Sequence, residues 1–365
     1  MMFYVDKKYG FYKVNHNQQT VETFSKIEAL ELSQRYQGWP SYHFHDEVFS
    51  SYDWKKEIPK DINTLYRKRA EQLRSKHKHL VLLYSGGFDS NNILKTFVNN
   101  NIHLDAVVCF YYSVDHDNAQ SDINQEWMLQ TLPRLQKIMP LIPHTELIRL
   151  DITDLSLDVI ERLYKDYLYY VPGYIAPNSL SRSFIKTKLP KKYNGSDVAI
   201  MYGHEKPRLR YKDNKFIFNF SDAGNTNRPI IQDSGVEWFY WSPDCPELVI
   251  KQAQIIKNFW LANKELIDTH SKNRKNQDLG IVLDHDYIPA QRIIYPQCDE
   301  NLYYTWRPQS NVFGRRDQWL YDSNTDSKDN IMKIYKAMCK LPSHWFNNNT
   351  HDQGLVGSLS RDYIL

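Results

Sequence analysis

The sequence predicts an α/β fold. A parallel sheet with flanking helices follows a small N-terminal α+β cap and precedes a mainly helical or irregular C-terminal region. Three observations carry this expectation. A continuous apolar run of strand length at residues 79–84 is followed by a second strand pattern at 104–112 and by shorter ones at 146–150 and 198–202. Segments with helical spacing lie between them. A turn of serines and glycines joins the first run to its helix, as in strand–turn–helix units. Apolar strands separated by helices are strands buried on both faces, joined by right-handed crossovers.

The elements follow in order. Alternation of Phe3, Val5, Phe11 and Val14 around Lys7-Lys8-Tyr9-Gly10 predicts a hairpin. Ser25-Lys26-Ile27-Glu28 has the form of a capping box, so a helix starts there and runs to about Gln37, before Gly38-Trp39-Pro40. Residues 42–49 read as a short strand. Ile62, Leu65, Ala70 and Leu73 mark one face of a helix over 61–76. Residues 90–99 read as a helix, 123–138 as a helix broken at Pro133 and ended by Pro140, and 155–170 as another. Lys212-Asp213-Asn214-Lys215 reads as the tip of a hairpin. Ser242-Pro243-Asp244-Cys245-Pro246 opens a helix with the stripe Val249, Ala253, Ile256 and Trp260. At roughly 150 residues per domain, two or three units are expected. They divide as 1–76, 77–241 and 242–365.

With 41% hydrophobic and 24% charged residues the composition is that of a globular chain, neither disordered nor fibrous. No apolar run approaches the roughly 20 residues a bilayer-spanning helix needs, and no charged-then-apolar leader precedes residue 30. A cytoplasmic protein without membrane contact is therefore expected. The net charge of +3 is unevenly placed. Residues 181–215 hold ten Lys/Arg against three Asp/Glu, which suggests an anionic ligand for that segment. The four cysteines, Cys109, Cys245, Cys298 and Cys339, are widely spaced, which argues against a disulfide framework and a Cys-based zinc knuckle.

The sharpest motif is Ser85-Gly86-Gly87-Phe88-Asp89-Ser90, between the first apolar strand and a helix. Paired glycines let backbone amides approach an anion. The helix start adds unpaired N–H groups and positive potential suited to phosphate. Ser85 and Ser90 add hydroxyl donors. Asp89 would repel bare phosphate, which suggests that a metal ion joins it there. The spacing and lysine of a Walker A loop are absent, as is the G-x-G-x-x-G dinucleotide pattern.

These six residues match the S-G-G-x-D-S signature of the PP-loop ATP pyrophosphatase family. The chain resembles its N-type branch, which includes the synthetase domain of asparagine synthetase. The resemblance spans about residues 78–207 and implies a HUP-type sheet. It implies cleavage of ATP to AMP and pyrophosphate, with adenylation of a carboxylate or amide-like oxygen for attack by an amine or ammonia. Carried over by motif, Ser85, Gly86, Gly87, Asp89 and Ser90 would hold pyrophosphate and Mg2+, with Asp89 as the metal ligand. Cys109, Phe110 and Tyr111, at the end of the second strand, would lie near adenine. Gly203, in the loop after the fourth strand, would line the site. Lys206 and Arg208 in that loop would neutralise phosphate charge in the transition state. Arg182, Lys186 and Lys188 are weaker candidates for that role.

The departures are informative. The chain begins Met1-Met2-Phe3 and lacks a glutaminase half before the loop, so nitrogen would come from free ammonia or a glutaminase partner. Paired reactive cysteines and a cysteine-rich zinc site are absent, which disfavours the thiolating and deazaguanine branches. The flanks resemble uncharacterised PP-loop proteins of large tailed phages, which would place the protein in host cytoplasm. An amino acid or small metabolite is the expected acceptor. The alternatives are an enzyme adenylating a tRNA or DNA base, and a non-catalytic ATP-binding module. The basic and aromatic stretch Arg307-Pro308 with Gly314-Arg315-Arg316-Asp317-Gln318-Trp319 bears on nucleic-acid contact. Asp115-His116-Asp117, after the second strand, reads as an acidic surface loop, with binding of magnesium–pyrophosphate or service as a base as the alternative; Asp284-His285-Asp286 and His43 with His45 and Asp46 read as surface or strand features rather than metal sites.

Overall fold

A computed structural model describes residues 7–16, 19–38, 40–112, 124, 126–153, 185–203, 207–222, 235–267, 269, 271–272, 280–283, 287–297, 329, 332–333, 336, 340–345 and 358–365. The expected helix over 155–170 lies outside these residues, as do Phe3 and Val5.

The first sheet is small and antiparallel. Strand β1 (Phe11–His16) pairs with β2 (Gln19–Thr23) and with β3 (Ser41–His43). The hairpin therefore pairs His16 with Gln19 at its closed end, whereas Lys7–Tyr9 is a single 3-10 turn. Helix α1 (Lys26–Tyr36) begins where the capping residue predicts, with the Ser25 side chain accepting from Glu28 N–H at 3.3 Å. The Glu28 carboxylate, however, accepts from Thr23 Oγ1, so the box is not closed on Ser25. The strand expected over 42–49 stops at His43. Asp46 accepts from Phe44 N–H and binds His43 Nδ1 at 2.6 Å, and a short helix α2 (Asp46–Phe49) starts there. This local side-chain turn outcompetes extension of the strand.

Helix α3 (Ile62–Lys76) is capped by Asp61, which accepts from Asn63 and Thr64 N–H, each at 3.0 Å. The central sheet then begins. Its strands are β4 (His79–Leu83), β5 (Ala106–Tyr111), β6 (Glu146–Asp151), β7 (Val198–Tyr202) and β10 (Val236–Trp238). All pairings are parallel, in the order β10-β7-β4-β5-β6. Counted along the chain this is 3-2-1-4-5, the order of a Rossmann-like sheet. The order reverses at β4, between β5 and β7. Sequence reading finds four of these strands and misses β10, whose three residues are too short for a pattern.

Helix α4 (Phe88–Asn99) follows β4 directly. Before β6, the chain forms a π-helical turn (Glu126–Thr131), helix α5 (Leu132–Ile138) and a 3-10 turn (Met139–Leu141). The helical run therefore continues through Pro133, but its winding changes there: the π-turn ends at Thr131 and Pro133 lies in the first turn of α5.

The second departure is a five-stranded antiparallel sheet. Strands β8 (Leu209–Lys212) and β9 (Lys215–Phe218) form the expected hairpin. Asp213 and Asn214 at its tip both have positive φ, 49° and 58°, which gives the primed turn suited to two-residue hairpins. The hairpin is extended by β11 (Ser271–Lys272), β12 (Ile281–Leu283) and β13 (Tyr363–Ile364), in the order β11-β12-β8-β9-β13. The region after residue 242 is therefore not only helical or irregular, because three of its strands complete this sheet. Its helices include α6 (Pro246–Ala262) and α7 (Ile288–Ile294). The predicted stripe Val249, Ala253, Ile256 and Trp260 is buried.

One aromatic cluster joins the parts. Trp54 stacks on Tyr363 at 4.6 Å and Phe218 at 4.9 Å, and Phe44 lies 4.8 Å from Phe220 and 5.8 Å from Trp238. Among the described residues, no helix is long and apolar enough to cross a membrane.

Candidate functional site

Strand β4 delivers the chain to the switch point of the central sheet, where ligands bind in sheets of this order. Tyr84 N–H continues the ladder to Val108 C=O at 2.8 Å, and its buried hydroxyl donates to Asn91 Oδ1 at 3.0 Å. The Ser85-Gly86-Gly87-Phe88-Asp89-Ser90 turn starts here. Gly86 has φ +72°, and a Cβ there would lie 3.0 Å from Thr131 Cα. Only glycine meets both conditions. Gly87 caps α4, and its N–H donates to Ser85 Oγ at 3.3 Å. The Ser85 and Ser90 hydroxyls are 3.3 Å apart. The first amides of α4 lack helical acceptors, so the turn gathers N–H groups, two hydroxyls and the positive end of a helix dipole.

The carbonyl side of the turn is held from behind. Gln130 Nε2 and Thr131 Oγ1 both donate to Ser85 C=O, at 3.1 and 2.7 Å. Arg134 Nη1 donates to Gly86 C=O. All three side chains are buried, Arg134 to 3% exposure. Sequence reading missed them. A signal existed: Thr131 and Arg134 fall at helical spacing with Leu135 and Ile138, so polar groups occupy an otherwise apolar inward stripe.

Asp89 is only 8% exposed. Its backbone carbonyl accepts from Tyr240 Oη at 2.7 Å, and the Tyr240 hydroxyl in turn accepts from Asn92 Nδ2 at 3.3 Å. The fully buried Tyr295 lies beside it. Burial first, and the Asp89 carboxylate second, push the Tyr295 hydroxyl well above the ordinary tyrosine range. Tyr240 and Tyr295 pack at 5.5 Å. The sequence held no sign that residues 240 and 295 back the motif.

The other predicted residues are distributed as follows. Gly203 is brought against the turn, because a Cβ there would lie 2.8 Å from Ser90 N and 2.9 Å from Asp89 C. Its small size lets β7 and the start of α4 meet. Cys109, Phe110 and Tyr111 end the adjacent strand β5. Cys109 is 0% exposed, whereas Phe110 and Tyr111 are half-buried. Tyr111 joins a shelf with Trp127, over which the Arg149 guanidinium lies at 5.5 and 5.0 Å. Arg208 is exposed just before β8. Lys206, His204 and Glu205 lie outside the described residues, as do Arg182, Asp115-His116-Asp117, Asp284-His285-Asp286 and the Arg307–Trp319 stretch.

The basic residues of 181–215 that the structure describes are spread over several places. Lys186 Nζ lies near Gly235, which packs on the Val198 carbonyl at the start of β7, so it belongs to the amino end of the sheet, opposite the turn. Lys192 pairs with Glu146, the first residue of β6, at 2.6 Å. Arg210 is buried and pairs with Asp362 at 2.6 Å. Lys192 and Arg210 are thus engaged with carboxylates and Lys186 stands at the far end of the sheet, so these three do not gather at the turn. Among the described residues no three His, Cys, Asp or Glu side chains form a metal-binding group. A lone carboxylate still fits Mg2+, which commonly takes one or two carboxylates and fills its octahedron with phosphate oxygens and water.

Compared with known proteins, the chain matches no family model and no curated sequence.

Proposed function

We propose that the protein is a PP-loop ATP pyrophosphatase of HUP type that adenylates a substrate oxygen and releases pyrophosphate. One observation supports the reading: the S-G-G-F-D-S turn stands at the carboxyl end of the central strand, at the switch point, with the carbonyls of Ser85 and Gly86 tied down behind it. The amides of the turn and the Ser85 and Ser90 hydroxyls bind the β- and γ-phosphates. The end of β5, with Phe110 and Tyr111, borders the adenine. Asp89 holds magnesium, which when bound neutralises charge on the leaving pyrophosphate. Lys206 and Arg208, which follow β7 in sequence, add positive charge at the α-phosphate.

The chemistry balances without a redox partner. A carboxylate or amide-like oxygen of an amino acid or small metabolite attacks the α-phosphorus, and the α–β bond breaks to release pyrophosphate. Ammonia or another amine, free or supplied by a partner glutaminase, then attacks the activated carbon and AMP departs. A cytoplasmic site of action suits ATP as substrate.

An ATP–pyrophosphate exchange screen over amino acids and small carboxylates tests this. Wild-type protein exchanges label with one acceptor class, and Asp89→Asn and Ser85→Ala each lose exchange while remaining folded. Full exchange by Asp89→Asn would remove the metal-binding role of that carboxylate. ATP binding without exchange across all acceptors would leave only a nucleotide-binding module.

A further inference from the structure

We propose that Arg134, with Gln130 and Thr131, is a positioning residue that fixes the peptide planes of the turn so that its amides face the phosphates. The inference rests on the nucleotide reading above and adds a part that no motif residue supplies. A glycine pair is the least constrained stretch of backbone a chain can carry, so the freedom that lets Gly86 and Gly87 approach an anion also lets their peptides rotate away. A peptide plane is rigid, so anchoring its carbonyl orients the N–H on its opposite edge. Here two consecutive carbonyls are anchored. Ser85 C=O receives Gln130 Nε2 at 3.1 Å and Thr131 Oγ1 at 2.7 Å, and Gly86 C=O receives the Arg134 guanidinium. The Ser85 carbonyl shares its peptide with Gly86 N–H, and the Gly86 carbonyl shares its peptide with Gly87 N–H. The clamp thus sets the two amides that open the turn, and it aims Gly87 N–H into the same space as the Ser85 hydroxyl, which it meets at 3.3 Å.

The arrangement also requires the unusual helix. Thr131 Cα comes within 3.0 Å of a Cβ position on Gly86, so the helix backbone itself lies against the turn. The side chains at 130 and 131 belong to the π-helical turn, and 134 belongs to the α-helix that follows. In an unbroken α-helix, neighbours 130 and 131 point about 100° apart. Wider winding reduces that angle and lets both reach the same oxygen. π-turns concentrate at functional sites for such reasons.

The test compares affinity with stability in the full chain. Binding of Mg2+–ATP and of Mg2+–pyrophosphate is measured calorimetrically for wild type, Arg134→Ala, Arg134→Lys and Thr131→Val, beside thermal melts. The expected result is a loss on the order of tenfold to a hundredfold in pyrophosphate affinity for Arg134→Ala, the worth of one charge-assisted hydrogen bond. Added methylguanidinium restores part of that affinity, and Arg134→Lys stays weak because an ammonium lacks the planar fork. Wild-type affinity in Arg134→Ala, or rescue of the melting temperature by methylguanidinium without rescue of affinity, overturns the proposal. Should Arg134→Ala fail to fold, Thr131→Val decides: a several-fold loss supports the clamp and unchanged affinity overturns it. A wild-type protein that binds neither ligand would instead sink the nucleotide reading, so the two failures are distinguishable.

Discussion

Gly86 and Gly203 do different work at one place. Gly86 needs a left-handed backbone and Gly203 needs to be small. Gly86→Ala is expected to cost about 1–2 kcal/mol from the left-handed conformation alone, and the 3.0 Å approach to Thr131 Cα adds to it. Gly203→Ala forces a Cβ to 2.8 Å from Ser90 N, so the start of α4 must shift. Overpacking of this kind costs about 1–3 kcal/mol. Urea unfolding checks both numbers, and nucleotide affinity should fall further than stability because the displaced atoms belong to the cradle. The glycines were legible in the sequence as motif letters. The buried polar groups behind them were legible only as exceptions to an apolar stripe, since a sequence says that Arg134 faces inward but not which carbonyl it finds.

At the level of elements, caps and turns obey local rules and are well anticipated. Asp61 accepts two amides at the start of α3, so Asp61→Ala should lower stability by about 1 kcal/mol, read as a reduced urea midpoint with unchanged slope. The primed turn at Asp213-Asn214 and the start of α1 at Ser25 follow equally local chemistry. Where an element depends on contacts from elsewhere, the reading fails. Pro133 signals a break by its ring, yet the chain accommodates it as the opening of α5 after a π-turn. The three residues of β10 form a strand because β7 offers a parallel edge beside them.

The whole molecule is bound together by buried charge as well as by aromatic packing. Glu237 on β10 meets Lys8 at 3.1 Å, Arg69 at 3.3 Å, His77 at 3.4 Å and Lys76 at 3.8 Å. Burial alone would raise its pKa, but the His77 imidazole at 3.4 Å and the charges of Lys8, Arg69 and Lys76 hold it far below the usual carboxylate range. A carboxyl depressed in the folded state contributes stability above its unfolded pKa, about 4.3, and loses it as pH falls. Wild-type stability should therefore decline from about pH 5 downward. Glu237→Gln should be less stable at neutral pH by about 3–5 kcal/mol, since Arg69 is left buried without its partner, and should show a shallower acid slope. Asp244, 3.8 Å from Arg69, tempers that loss. A second network joins distant segments: buried Lys26 binds Asp222 and Ser358, and Tyr12 Oη donates to Asp222 at 2.8 Å. Deleting residues 359–365 removes β13 and the Tyr363 ring from Trp54, and should lower the melting temperature by several degrees, measured calorimetrically.

The sequence by itself determined the parallel apolar strands, the capped helices and the glycine turn between β4 and α4, because each depends on neighbours a few residues away. Tertiary structure alone decided the rest: the reversal of strand order at β4, the return of β13 to β9, and the meeting of Arg134, Gly203 and Tyr240 around one turn. Those depend on which surfaces bury each other across tens to hundreds of residues. Periodicity records that a side chain is buried, whereas its partner is set by packing of the whole chain.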